Sequence, residues 1–137
     1  MTPSGRIRGD PPEVRVPLST DPGEVPRLRR LVGEQLRAWR LTAAAEVTLL
    51  LVSELVTNAL LHGRPPLELR LAVVGGKVRV EVHDAASDRQ PARAYPPPDA
   101  PHGRGIEIVA ALANRWGSAP SPLGKVVWFE VDVTARP

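Results

Sequence analysis

Glu54 and Asn58 stand four residues apart in Glu54-Leu55-Val56-Thr57-Asn58-Ala59. That separation puts both on one face of a helix, one turn apart. A carboxylate and an amide on an otherwise apolar helix need partners, since an unpaired buried amide costs about 1–3 kcal/mol and a charge more. Either arginines and backbone groups satisfy them, or they line a cleft with the amide oxygen on a hard cation and the carboxylate on a water or hydroxyl. A second group is Val82-His83-Asp84, ending an apolar run. A carboxylate there can accept from an exocyclic amine, or can cap the following loop. The third is His102-Gly103-Arg104-Gly105-Ile106, ahead of a helical pattern. Its glycines allow close backbone approach, and a helix start attracts phosphate; glycines of this kind also simply make turns.

The elements that must position these groups follow from periodicity. Val14–Leu18 alternates and reads as an edge strand, because Pro17 cannot donate to a ladder. Asp21-Pro22 reads as the N-cap and first residue of a helix to about Trp39, with an apolar stripe of Leu28, Leu31, Val32, Leu36 and Trp39 opposite Arg29, Arg30, Glu34 and Arg37. Thr42 opens a second helix to about His62, closed by Gly63 and apolar nearly all round, as a helix buried on most sides must be. Two strands, about Leu67–Val74 and Val78–His83, join through Gly75-Gly76 as a tight hairpin. Asp84 to His102 has five prolines and scarce apolar residues, the composition of a lid or a disordered loop. A third helix runs from Gly103 to about Asn114. Trp116-Gly117 and Val126–Val133 read as closing strands, with Gly124-Lys125 at their turn. The result is an α+β layout with helices on one face of a mainly antiparallel sheet.

Composition narrows the function classes. The 137 residues suit one domain, taken as 13–135 behind a mobile tail at 1–12. The absence of cysteine excludes disulfides and thiolate-bound metals, and His62, His83 and His102 never fall at ligand spacing beside each other. Net charge is +3, with 16 of 18 basic residues arginine and only 4% aromatics, a weak basis for nucleic-acid binding. No signal peptide stands at the start and no apolar run reads as membrane-spanning, so a cytoplasmic location without membrane or nucleic-acid contact is expected. No Gly-x4-Gly-Lys-Ser/Thr is present, which excludes a P-loop.

Taken in order, a helix with Glu54…Asn58, a strand ending in Asp84, a long loop and Gly103-x-Gly105 before a helix resembles the GHKL ATPase superfamily of gyrase, histidine kinases and MutL. Glu54-Leu-Val-Thr-Asn-Ala-Leu-Leu-His-Gly63 is similar to its N box. Gly103-Arg-Gly-Ile…Arg115-Trp-Gly117 and Gly124-Lys-Val-Val-Trp-Phe129 resemble the stand-alone anti-sigma-factor serine kinases of actinobacteria. The resemblance covers about residues 14–133. It implies a Bergerat-type two-layer α/β sandwich on a mixed, mainly antiparallel sheet, and an ATP-dependent protein serine/threonine kinase using ATP and Mg2+. It implies that Asn58 holds the magnesium, Glu54 accepts the proton of the attacking hydroxyl and Asp84 reads the adenine amine. Ala86 stands in the first glycine box, and Gly103, Arg104, Gly105 and Ile106 form the phosphate side. The implied partners are an anti-sigma-factor antagonist and a sigma factor, with a homodimer left open. The alternative is a non-catalytic, nucleotide-responsive binding module.

Two departures bear on affinity. The first box reads Asp84-Ala85-Ala86 where the family has Asp-x-Gly, narrowing the space beneath the base. Val126 stands where a threonine often joins the adenine relay, which would leave Asp84 as the main polar reader.

Overall fold

The structure is a computed structural model and describes residues 13–86, 104–122 and 124–133; the side chains of 104–106 are not described. The predicted tail at 1–12, the predicted lid except its first residues, and Gly103 lie outside the described residues. The element order is β1 (Glu13–Leu18), α1 (Glu24–Ala38), a 3-10 turn (Thr42–Ala44), α2 (Ala45–His62), β2 (Leu67–Val74), β3 (Lys77–Asp84), α3 (Arg104–Leu112), β4 (Arg115–Ser121) and β5 (Gly124–Asp132).

The strands form one sheet in the order β1-β2-β3-β5-β4. All four described pairings are antiparallel, so the sheet is not the mixed one expected. Register sets the two faces. Leu69, Val82 and Val127 align across β2, β3 and β5, as do Leu71, Val80 and Phe129. These side chains are buried, together with Leu51, Val52, Leu55 and Val56 of α2 and Leu28, Val32 and Leu36 of α1. The intervening residues Arg79, Glu81, Trp128 and Glu130 point to the other face. There Arg79 donates to Glu81 and Glu130 at 2.7 and 2.8 Å and stacks 4.2 Å from the centre of Trp128.

Helix boundaries depart from the sequence expectation for identifiable reasons. The first helix starts at Glu24, because Asp21 Oδ1 accepts from the Gly23 N–H at 2.7 Å and the Asp21 carbonyl accepts from Glu24 N–H. Asp21 therefore makes a turn ahead of the helix. Glu24 is itself buried, accepting from Ser19 N–H at 2.6 Å and from the Arg27 guanidinium. At the other end, Leu41 N–H bonds Leu36 O and Arg40 N–H bonds Arg37 O, a Schellman closure with Arg40 at φ 62. Thr42 opens the 3-10 turn and not α2, whose N-cap is Ala44.

Segment 42–62 does reach membrane-spanning length and composition, with mean hydropathy 1.6, against the expectation from sequence. Its apolar residues Leu51, Val52, Leu55 and Val56 belong to the core shared with the sheet. Ser53 ties the helices together: its hydroxyl accepts from Arg29 Nη1 at 2.7 Å and donates to Leu49 O.

Candidate functional site

The C-terminal half of α2, the end of β3 and the start of β5 converge on one cleft. It is lined by Leu55, Asn58, Ala59, Gly63, Val82, Asp84, Lys125 and Val127, and opens to solvent.

Asp84 is the last residue of β3 and only 2% exposed. Its Oδ1 accepts from Ala86 N–H at 2.7 Å and more weakly from Arg64 N–H at 3.5 Å. Those bonds fix the carboxylate and leave Oδ2 toward Lys125, whose Nζ lies 3.7 Å away. Asp84 and Lys125 are direct partners in the β3–β5 ladder and so share the inner face. Both are buried.

Two glycines make this arrangement possible. A Cβ at Gly63 would lie 2.8 Å from Ala59 O and 3.0 Å from Asp84 Cγ. Gly63 has extended backbone, so its role is to give space to the carboxylate and not to close the helix in a left-handed conformation. Gly124 has φ 149, and a Cβ there would meet the Ala85 carbonyl carbon at 2.6 Å. The first residue of β5 thus crosses directly over the chain leaving β3.

Asn58 is 7% exposed and lines the cleft, and among the described residues its amide has no hydrogen-bond partner. Glu54, half-buried one turn before it, likewise has no hydrogen-bond or ion-pair partner among the described residues. Of the two readings left open by the sequence, partnering by arginine is therefore absent there. Ala86 is buried beside Asp84, holding its carboxylate, and does not line the cleft. Arg104, Gly105 and Ile106 form the first turn of α3, which packs on α2.

Lys125 was not legible as a site residue. Its expected place was the β4–β5 turn, but pairing extends to Ser121↔Gly124, so Gly124 and Lys125 already belong to β5. Val126 points to the opposite face, paired with His83. The residue that joins Asp84 is therefore Lys125, and Asp84 is not the only polar group at that end of the cleft. Only the strand order could reveal this, since 84 and 125 are neighbours solely because β3 lies beside β5.

Comparison with known proteins bears on the fold and the family. No curated protein sequence matches the chain. Among solved structures, the histidine kinase domain from Erythrobacter litoralis EL346 blue-light activated histidine kinase is similar at 25% identity and TM-score 0.50. The match covers 68% of this chain and 46% of that one, so the chain spans less than half of that structure's length. Residues 18–131 match the histidine kinase-like ATPase domain family, whose activities depend on ATP. With this match over most of its length, and a two-layer α+β fold to go with it, the chain belongs to the histidine kinase-like ATPase domain family.

Proposed function

We propose that this domain is an ATP-dependent serine/threonine protein kinase of the anti-sigma-factor type, cytoplasmic, acting on an anti-sigma-factor antagonist and binding a sigma factor. The observation that carries the reading is the pair Glu54 and Asn58, polar residues one turn apart on a core helix, with no partner among the described residues. They stand beside a cleft that ends in the fixed carboxylate of Asp84. The motif order of the serine-kinase branch supports the finer assignment.

Phosphoryl transfer asks the protein mainly for positioning and charge stabilisation. In this reading Asp84 accepts from the six-amino group of the base. Asn58 offers its amide oxygen to magnesium, which when bound neutralises phosphate charge. Among the described residues no three His, Asp or Glu side chains gather to hold a metal unaided, so a cation at Asn58 would share the phosphates as ligands. Glu54 accepts the proton of the substrate hydroxyl as its oxygen bonds the γ-phosphorus, and the bond to the β–γ bridging oxygen breaks to release ADP.

The test is phosphoryl transfer from labelled ATP, with magnesium, to the antagonist protein that co-purifies with the chain. Label is expected on a serine or threonine of the antagonist. ATP binding without transfer to any antagonist would replace the kinase by a non-catalytic nucleotide-responsive module.

A further inference from the structure

The buried ammonium of Lys125 at the base end of the cleft bears on which purine the site accepts. A carboxylate alone selects a six-amino base: it accepts from the amine of adenine and repels the carbonyl oxygen that guanine carries at the same position, acceptor against acceptor. Asp84 does not stand alone. Lys125 Nζ lies 3.7 Å from Asp84 Oδ2, a distance of charge pairing but beyond hydrogen-bond length. The ammonium has three donors and no acceptor, and among the described residues none of the three is hydrogen-bonded. It is 5% exposed and lines the same cleft as the carboxylate.

We infer that Lys125 is a specificity-determining residue that makes the site tolerant at position six of the base, so that six-oxo purine nucleotides (guanine and hypoxanthine) bind as well as adenine nucleotides. An amine there is taken by Asp84 Oδ2. A carbonyl oxygen there is taken by Lys125, whose charge also cancels the repulsion from the carboxylate. The cation gives the amine nothing and opposes it slightly, so its removal acts unequally on the two base types.

The inference rests on the proposed nucleotide site, and the experiment separates the two. ATP, GTP and ITP are titrated by calorimetry into wild type, Lys125→Met and Lys125→Gln, with melting curves on the same preparations. Wild type is expected to bind the three within about tenfold of one another. Lys125→Met should lose at least tenfold in affinity for GTP and ITP while its ATP affinity holds or rises. Lys125→Gln, which keeps a neutral donor and is the milder change to a buried pair, should fall between. ITP lacks the two-amino group of guanine, so parallel behaviour of ITP and GTP assigns the effect to position six. Three results overturn the inference alone: a wild-type preference for ATP of a hundredfold or more, an ATP-to-GTP ratio unmoved in both variants, or equal tightening of all three nucleotides in Lys125→Met. The last would make the lysine an obstruction and not a reader. Failure of every nucleotide to bind wild type or variants would remove the nucleotide site and the inference together.

Discussion

At the scale of single residues, Glu54 and Asn58 share a helix face but differ in what their loss should do. A base that touches the substrate hydroxyl only in the transition state lowers the barrier without holding the ground-state nucleotide. Glu54→Gln is therefore expected to keep near wild-type ATP affinity and melting temperature while transfer falls about 10²–10⁴-fold. A structural ion-pair role predicts the reverse, a lower melting temperature with activity in the folded fraction. Asn58→Ala should weaken ATP binding in magnesium and abolish the difference that EDTA makes to the wild type; calorimetry with and without chelator checks both. Glu54, Asn58 and Asp84 were legible because their types break an apolar pattern at helical or strand-end spacing. Lys125 was not, because nothing local distinguishes a lysine after glycine at a turn from one that begins a buried strand. Gly63 was legible as a helix end but not as the space that admits Asp84, which depends on a residue 21 positions away.

Among the elements, the two closures that sequence rules missed offer the sharpest tests. The α1 terminus has the hydrogen bonds of a Schellman motif without its usual glycine, and Arg40 holds the left-handed position at φ 62. A Cβ there costs about 1–2 kcal/mol, partly offset by the greater freedom glycine has when unfolded. Arg40→Gly should therefore stabilise the domain by about 0.5–1 kcal/mol, read as a higher denaturation midpoint with unchanged slope. Gly124→Ala should do the opposite. At φ 149, with Ala85 closely overhead, a methyl strains the backbone and displaces the start of β5. A loss of about 3 kcal/mol is expected, and a variant that melts with the wild type would show that the crossing is loose. The β2–β3 hairpin, in contrast, was fully readable: Gly75 and Gly76 take φ 57 and 77, as a two-residue turn between twisted strands requires.

For the molecule as a whole, acid should be destabilising through groups that do not line the cleft. Hydrogen bonds from Arg27 outweigh the cost of burial and, with the Ser19 N–H, lower the Glu24 pKa from 4.5 to about 2. A lowered carboxylate pKa stabilises the fold fully above its ordinary value and loses that contribution as pH falls toward the folded value. The window is therefore from about 4.5 down to about 2. Burial opposes the charge of Glu81, but Arg79 and His83 prevail and lower its pKa too, which acts with the same sign. Urea unfolding across that window should show stability falling with acid. Glu24→Gln should cost about 1 kcal/mol at neutral pH, given the half-exposed Arg27, and flatten the acid limb. Identical acid limbs in the two proteins would make the clamp between β1 and α1 energetically silent. The class of fold was legible from helical and strand periodicity, whereas strand order was not, since it depends on contacts between distant segments.

That strand order has a kinetic consequence. The hairpins β2–β3 and β4–β5 can each form early, from chain segments already close together. The ladder that unites them, β3 with β5, joins distant stretches of chain and must wait for a longer loop to close. Asp84 and Lys125 are its terminal rung, where fraying would begin. A base bound against that rung would brace the seam at its end, a support absent while the two hairpins are still docking. Such a ligand slows unfolding far more than it hastens folding, and the domain's lifetime as a folded protein would then rise with its nucleotide supply.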